Sequence, residues 1–260
     1  MDDERKATTR PPNRGWPGLR AVARHNDELL RPMAAGLAAL LLLVAFIAVA
    51  EMVGDGEARR FDLYVQEMLR EPSGTRPLGP AWLPKAVAEL TALGSPAVLT
   101  LITTVAVAWL LLQRAWLTAA ATLASIVGGS LMLTALKRLF GRERPEFLDI
   151  GVTAGGHSFP SGHTTMAAVV YLTIGALIAS TRRKPAERGF VLGVAAMMTA
   201  MIGVSRAYLG VHWASDVLAG WTFGTAWALA FLLATLLLRR RLLGSPHAPR
   251  GEIAAERSQD

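Results

Sequence analysis

The strongest constraint on this chain is that its apolar residues come in blocks as long as a bilayer is thick. Residues 33–53 are interrupted only by Glu51 near their end. At about 1.5 Å per helical residue such a run reaches roughly the 30 Å hydrocarbon thickness of a membrane. Comparable runs follow at 90–112, 115–136, 164–180, 190–204 and 217–238. The fifth has only a short purely apolar part and must extend to about Tyr208 to cross. Between Met33 and Leu238 most charges fall in the short breaks, as they must where an unpaired charge at mid-bilayer is costly. The expected fold is an all-α integral membrane protein, six transmembrane helices in a bundle. The first run starts after a polar, arginine-rich stretch and is longer than the roughly 7–15-residue core of a cleavable signal peptide, so it reads as a retained helix.

Charge placement orients the bundle. The net charge of +7 could suggest nucleic acid, but the cations cluster at particular points. Arg5, Lys6, Arg10, Arg14, Arg20, Arg24 and Arg31 precede the first run; Arg182, Arg183, Lys184 and Arg188 follow the fourth; Arg239, Arg240 and Arg241 follow the sixth. With six spans these groups share one side, which the positive-inside rule makes cytoplasmic. No aromatic interleaving or motif argues for a nucleic-acid partner. The expected organisation is a poorly ordered cytoplasmic N-terminal tail (1–32), a six-helix membrane domain (33–240) and a cytoplasmic C-terminal tail (241–260), in an inner or plasma membrane. The chain has no cysteine, which excludes disulfides, zinc–thiolate sites and a thiol nucleophile.

Three breaks lie on the far, extracytoplasmic side: about 54–89, 137–163 and 205–216. In the first, Phe61, Tyr64, Val65, Met68 and Leu69 recur at helical spacing with Asp62, Glu67 and Arg70 between them. This predicts a short amphipathic interfacial helix between the first two spans, serving either as a connection packed on the bundle or as a lid or lateral entry for a lipid.

The other two breaks concentrate reactive residues. Around Lys137 and Arg144, Gly141 should end the third helix and Pro145 should hold Arg144 extended, so that both cations can meet. A guanidinium grips phosphate oxygens bidentately and lysine adds a point charge. The plainer reading is cations snorkelling to headgroups, as expected of Arg138 and Arg142. Next, Gly155 to Thr165 opens the fourth helix. Ser161 or Thr164 can cap it, but a helix N-terminus is also a phosphate site, Gly162 permits close approach, and His163 beside it could protonate a leaving oxygen. Finally, His212 and Asp216 are four apart, on one face if the sixth helix begins near His212. A carboxylate on one imidazole nitrogen leaves the other with an exposed lone pair, a candidate nucleophile; alternatively the pair only closes the bundle.

Together these clusters resemble the signature of the type 2 phosphatidic acid phosphatase superfamily, K-x6-R-P, then P-S-G-H, then S-R-x5-H-x3-D. Every fixed position matches: Lys137, Arg144 and Pro145; Pro160, Ser161, Gly162 and His163; Ser205, Arg206, His212 and Asp216. The resemblance implies that His212 attacks phosphorus and Asp216 orients it, while His163 acts as general acid and then activates water. It also implies that Lys137, Arg144, Ser161, Gly162 and Arg206 hold the phosphoryl oxygens, with no metal and no cofactor. His157 and Ser205 would support them from behind. The expected substrate is a lipid phosphate or pyrophosphate such as undecaprenyl pyrophosphate, phosphatidylglycerol phosphate, phosphatidic acid or diacylglycerol pyrophosphate, handled at the extracytoplasmic face. The arginine- and alanine-rich, lysine-poor composition suggests a bacterial chain and puts the undecaprenyl type first. Rival readings are a phosphotransferase using the same phosphohistidine, a vanadate-dependent haloperoxidase, which the apolar runs oppose, and a non-catalytic binder or transporter of anionic lipids.

Overall fold

The computed structural model describes residues 17–72, 76–145 and 155–243. They form α1 (Pro17–Gly54), α2 (Ala58–Met68), α3 (Leu83–Thr91), a 3₁₀ turn (Ala92–Gly94), α4 (Pro96–Leu112), α5 (Trp116–Phe140), α6 (Gly162–Ser180), α7 (Pro185–Tyr208) and α8 (Ala214–Leu243). Among the described residues there is no strand beyond one isolated bridge between Arg70 and Pro77. Five helices are long and apolar enough to cross a membrane, and α3 with α4, bent by 42°, makes a sixth crossing if the pair is one span. α7 runs to Tyr208, as the fifth span required. Residues 17–32 form the first turns of α1, so the described part of the expected N-terminal tail is helical; residues 1–16 and 244–260 lie outside the described residues.

The sequence suggested one helix over 90–112, but the chain breaks at Gly94-Ser95-Pro96. Proline disfavours the helical region for the residue before it, and Ser95 is extended with ψ 151°. Ser95 Oγ then accepts the Val98 N–H at 3.3 Å, and Pro96 occupies the first position of α4, where no N–H is needed.

Packing follows the rules of a lipid solvent. Leu37, Leu41, Leu101, Val105, Trp109 and Leu131 are exposed on the outside of the bundle. Inside, Phe46, Phe159 and Phe223 form an aromatic cluster, with Phe140 and Trp227 against it. The helices α6 and α8 approach closely because Gly220 and Gly224 face α6. A Cβ at Gly224 would stand 2.7 Å from the Thr165 carbonyl oxygen, and one at Gly220 would stand 3.2 Å from that of Ser161. Small residues spaced by four allow such backbone approach in membranes. The N-termini of α6 and α8 are thereby held side by side.

The amphipathic segment between the first two spans is helical, as its spacing predicts. Ala58, Asp62 and Gln66 are buried, whereas Phe61, Tyr64 and Met68 are exposed. Its polar stripe, not its apolar one, packs onto the protein.

Candidate active site

The end of α5 places the first two cations. Gly141 adopts the left-handed region (φ 56°), and its N–H bonds to the Lys137 carbonyl at 3.1 Å, closing the helix. Lys137, in the last turn, donates from Nζ to the His157 carbonyl at 2.7 Å. Its Cε lies 3.5 Å from where a Cβ on Gly162 would stand, so Lys137 leans on the start of α6. Arg144 folds back from the loop. Nε and Nη2 donate to the carbonyls of Gly156 and Gly155, each at 3.0 Å, and Nη1 donates to that of Val211 at 2.8 Å. The same Nη1 is 3.0 Å from His212 Nε2.

Ser161 stands at the N-cap of α6 in extended conformation, but its side chain does not cap a backbone N–H. Its oxygen accepts the Thr164 hydroxyl at 2.9 Å, so the Ser161 proton is available to another acceptor. Its own N–H bonds to the Asp216 carbonyl at 3.0 Å, tying the start of α6 to α8. The first N–H groups of α6, Gly162 among them, have no partner within the helix. His163 is half-buried behind the α3–α4 break: a Cβ on Gly94 would sit 3.4 Å from the His163 Cβ.

The helix α7 ends in a Schellman motif: Val211 N–H bonds to the Arg206 carbonyl and Gly210 N–H to that of Ala207, with Gly210 at φ 68°. This reversal sends the chain back past Arg206, so that residues 206 and 212 belong to one wall. Arg206 is 3% exposed; Nη1 donates to Thr91 Oγ1 at 3.4 Å, and Nε has no partner among the described residues. A buried guanidinium N–H without an acceptor is costly, which suits a site built to receive an anion.

His212 is not on a helix. The helix α8 begins at Ala214 with Trp213 before it, because Asp216, in the first turn, reaches back to accept the Trp213 N–H at 3.0 Å, one half of a capping box. The same oxygen, Oδ2, accepts His212 Nδ1–H at 3.2 Å. With that proton on Nδ1, Nε2 keeps its lone pair and faces Arg144. His212 is 1% exposed, and burial lowers its pKa from the ordinary 6.5 to about 3; Asp216 opposes this, while Arg144 and Arg206 add to it. The imidazole is neutral at pH 7. Burial also lowers Arg144, against the pull of Asp216.

The described residues correct one expectation and add residues the pattern did not single out. Arg142 is not a headgroup cation. Its guanidinium bridges Asp62 and Asp216, 2.6 Å from each, and donates to Ser215 Oγ at 2.8 Å. Asp62, Gln66, Ser215 and Thr91 were not singled out as site residues. Gln66 Nε2 donates to the His212 carbonyl at 3.2 Å, and Thr91 meets Arg206. The available signal was the i, i+4 spacing of Asp62, Gln66 and Arg70. Of the two residues expected to support the site, His157 contributes its carbonyl and Ser205 donates to the Ile202 carbonyl. Arg138 is exposed.

Known proteins resemble this chain over most of its helical part. A sequence model of the PAP2 superfamily matches residues 115–240. Phosphatidylglycerophosphatase B of Bacillus subtilis (strain 168) is 32% identical over 147 residues, spanning 55% of this chain and 70% of that protein. Lipid A 1-phosphatase of Rhizobium johnstonii is 33% identical over 141 residues, spanning 48% of this chain and 53% of the relative. Among solved structures, a transmembrane PAP2-type phosphatidylglycerolphosphate phosphatase from Bacillus subtilis superposes with a TM-score of 0.65 at 26% identity, covering 77% of this chain and 96% of the other.

Proposed function

This chain belongs to the PAP2 superfamily and is a membrane-spanning lipid phosphatase, a hydrolase of phosphoric esters; from that premise we propose that it works through a phosphohistidine on His212. The observation that carries this reading is the His212 imidazole itself, held by Asp216 through Nδ1, neutral, with Nε2 3.0 Å from an arginine. Nε2 accepts Arg144 Nη1–H here, and a phosphoryl group that draws that guanidinium onto its own oxygens would take its place before the freed lone pair. The Nε2–P bond forms as the P–O bond to the leaving group breaks, and His163 gives that oxygen a proton. Lys137, Arg144, Arg206, the Ser161 hydroxyl and the Gly162 N–H stabilise the phosphoryl oxygens, the charge-positioning that phosphoryl transfer mostly needs. His163, now neutral, takes a proton from water, which attacks phosphorus and releases phosphate from His212.

The site sits where α5, α7 and the α2 segment end and α6 and α8 begin, at one end of the bundle. The basic turn of Arg182, Arg183 and Lys184 lies at the other end. The positive-inside rule makes that turn cytoplasmic and the site extracytoplasmic, at headgroup depth, with α2 beside its mouth at the interface. A substrate whose phosphate sits at the surface and whose tail stays in the bilayer fits this geometry. Undecaprenyl pyrophosphate and phosphatidylglycerol phosphate are the first candidates.

The test is release of inorganic phosphate by the purified protein from a panel of lipid phosphates and pyrophosphates, with His212→Ala as the blank. In water labelled with heavy oxygen, hydrolysis places solvent oxygen in the phosphate. Full turnover by the His212 variant would exclude the covalent route.

A further inference from the structure

A second carboxylate, with no part in holding phosphate, is buried beside Asp216. Asp62 is 0% exposed and lies on α2, which contributes nothing to the phosphate cradle. A buried carboxylate is costly unless its oxygens are satisfied, and here they are. Asp62 Oδ1 accepts the Ser215 N–H at 2.8 Å, and Oδ2 accepts the Ser215 hydroxyl at 2.7 Å and Arg142 Nη2 at 2.6 Å. Ser215 belongs to the first turn of α8, so Asp62 caps from outside the helix whose next residue is Asp216.

Arg142 divides its fork between the two acids. Nη1 takes Asp216 Oδ1 at 2.6 Å, while Oδ2 of the same carboxylate faces His212. Left alone with Asp216, Arg142 would make a neutral pair and weaken the acceptor on which His212 leans. That acceptor matters most as the Nε2–P bond forms, because the imidazole then becomes cationic while its Nδ1–H still points at Asp216. With Asp62 present, two carboxylates share one guanidinium, and one net negative charge remains beside the imidazole.

We propose that Asp62 is a positioning residue for phosphoryl transfer: by holding one arm of Arg142 and the first turn of α8, it aims Asp216 and leaves it the charge that supports His212 during attack. This rests on the phosphohistidine reading.

The experiment compares wild type, Asp62→Asn, Arg142→Gln, the Asp62→Asn/Arg142→Gln double variant and His212→Ala. Each is purified in detergent, checked for folding by thermal melting, and assayed for kcat and KM on short-chain phosphatidic acid in mixed micelles. Asp62→Asn should fold and lose roughly 10- to 100-fold in kcat, the scale on which outer hydrogen-bond partners act, with KM within about twofold. The double variant should recover about tenfold of that loss, since Asp216 then carries its charge unopposed; a merely structural role for Asp62 predicts no such rescue. Wild-type kcat in folded Asp62→Asn, or a double variant no faster than it, overturns the proposal. If Asp62→Asn does not fold, the double variant decides alone: turnover within about a hundredfold of wild type supports the proposal, and turnover no better than His212→Ala refutes it. Loss of activity in His212→Ala beside an unaffected Asp62→Asn removes only the role of Asp62. Wild-type turnover in His212→Ala removes the phosphohistidine reading and this proposal together.

Discussion

The two ends of the bundle use the same residue types to opposite effect. At the end that carries His212, Arg142 lies 2.6 Å from Asp62 and from Asp216, and both carboxylates are 0% exposed. At the other end, Lys184 and Glu187 approach only to 3.8 Å, and their side chains are 80% and 46% exposed. Water screens the second pair and makes it nearly irrelevant to stability. In the first, each charge must be matched by named partners because no solvent does it, and removing one partner strands the rest. Burial, more than residue type, separates a charge that does chemistry from one that orients a helix turn.

This contrast can be broken at four points. The largest effect is expected for His212→Ala, which should cost about ten-thousand-fold or more in phosphate release while the protein still melts cooperatively in detergent. A surviving rate near wild type would place the chemistry elsewhere. Next, Arg206→Lys should cost about 100- to 1000-fold in kcat, as for loss of a preorganised donor, because an ammonium cannot reproduce the planar fork. An unchanged kcat would take Arg206 out of the cradle. A smaller effect concerns acid. Because the folded pKa of His212 is about 3 against an ordinary 6.5, the unfolded chain takes up a proton below pH 6.5 that the folded one refuses. Its share of stability is whole above pH 6.5 and declines as pH falls toward 3, by about 1.4 kcal/mol per pH unit. Melting curves between pH 7.5 and 5 should therefore fall more steeply for wild type than for His212→Gln, and equal slopes would contradict a neutral buried imidazole. Smallest of all, Lys184→Ala should change stability by no more than about 0.5 kcal/mol and leave turnover alone. A large loss would erase the distinction between the two ends.

Much of the architecture was readable before any coordinates, because a lipid solvent writes its demand as unbroken apolar runs. The Gly141 stop and the extension of the fifth span to Tyr208 also followed from local rules. Three features did not. The break at Ser95 sat inside an apolar run, where hydropathy is silent and only the Ser-Pro pair spoke. The four-residue spacing put His212 and Asp216 on one face only if α8 began near His212; it begins at Ala214, and Asp216 reaches His212 from the first turn across the Trp213 cap. The α2 segment was only half legible. Its periodicity revealed two faces but not which one turned inward. Phe61, Tyr64 and Met68 look outward, while Asp62 meets Ser215 at the start of α8 and Gln66 the His212 carbonyl. For the same reason Arg142 could not be told from Arg138 by sequence, since both are arginines at a helix end and only the depth of a partner carboxylate separates them.

The glycines at 220 and 224 carry a consequence for how this protein can vary. They lie about one and two turns along α8 from Asp216, where a Cβ would stand 3.2 Å and 2.7 Å from carbonyl oxygens of α6 and its cap. Any side chain there would act as a wedge, prising the two helix starts apart and parting Ser161 from Asp216 without touching the Asp216 side chain. The spacing of the two helix starts is therefore set inside the bundle, by two positions that carry no side chain.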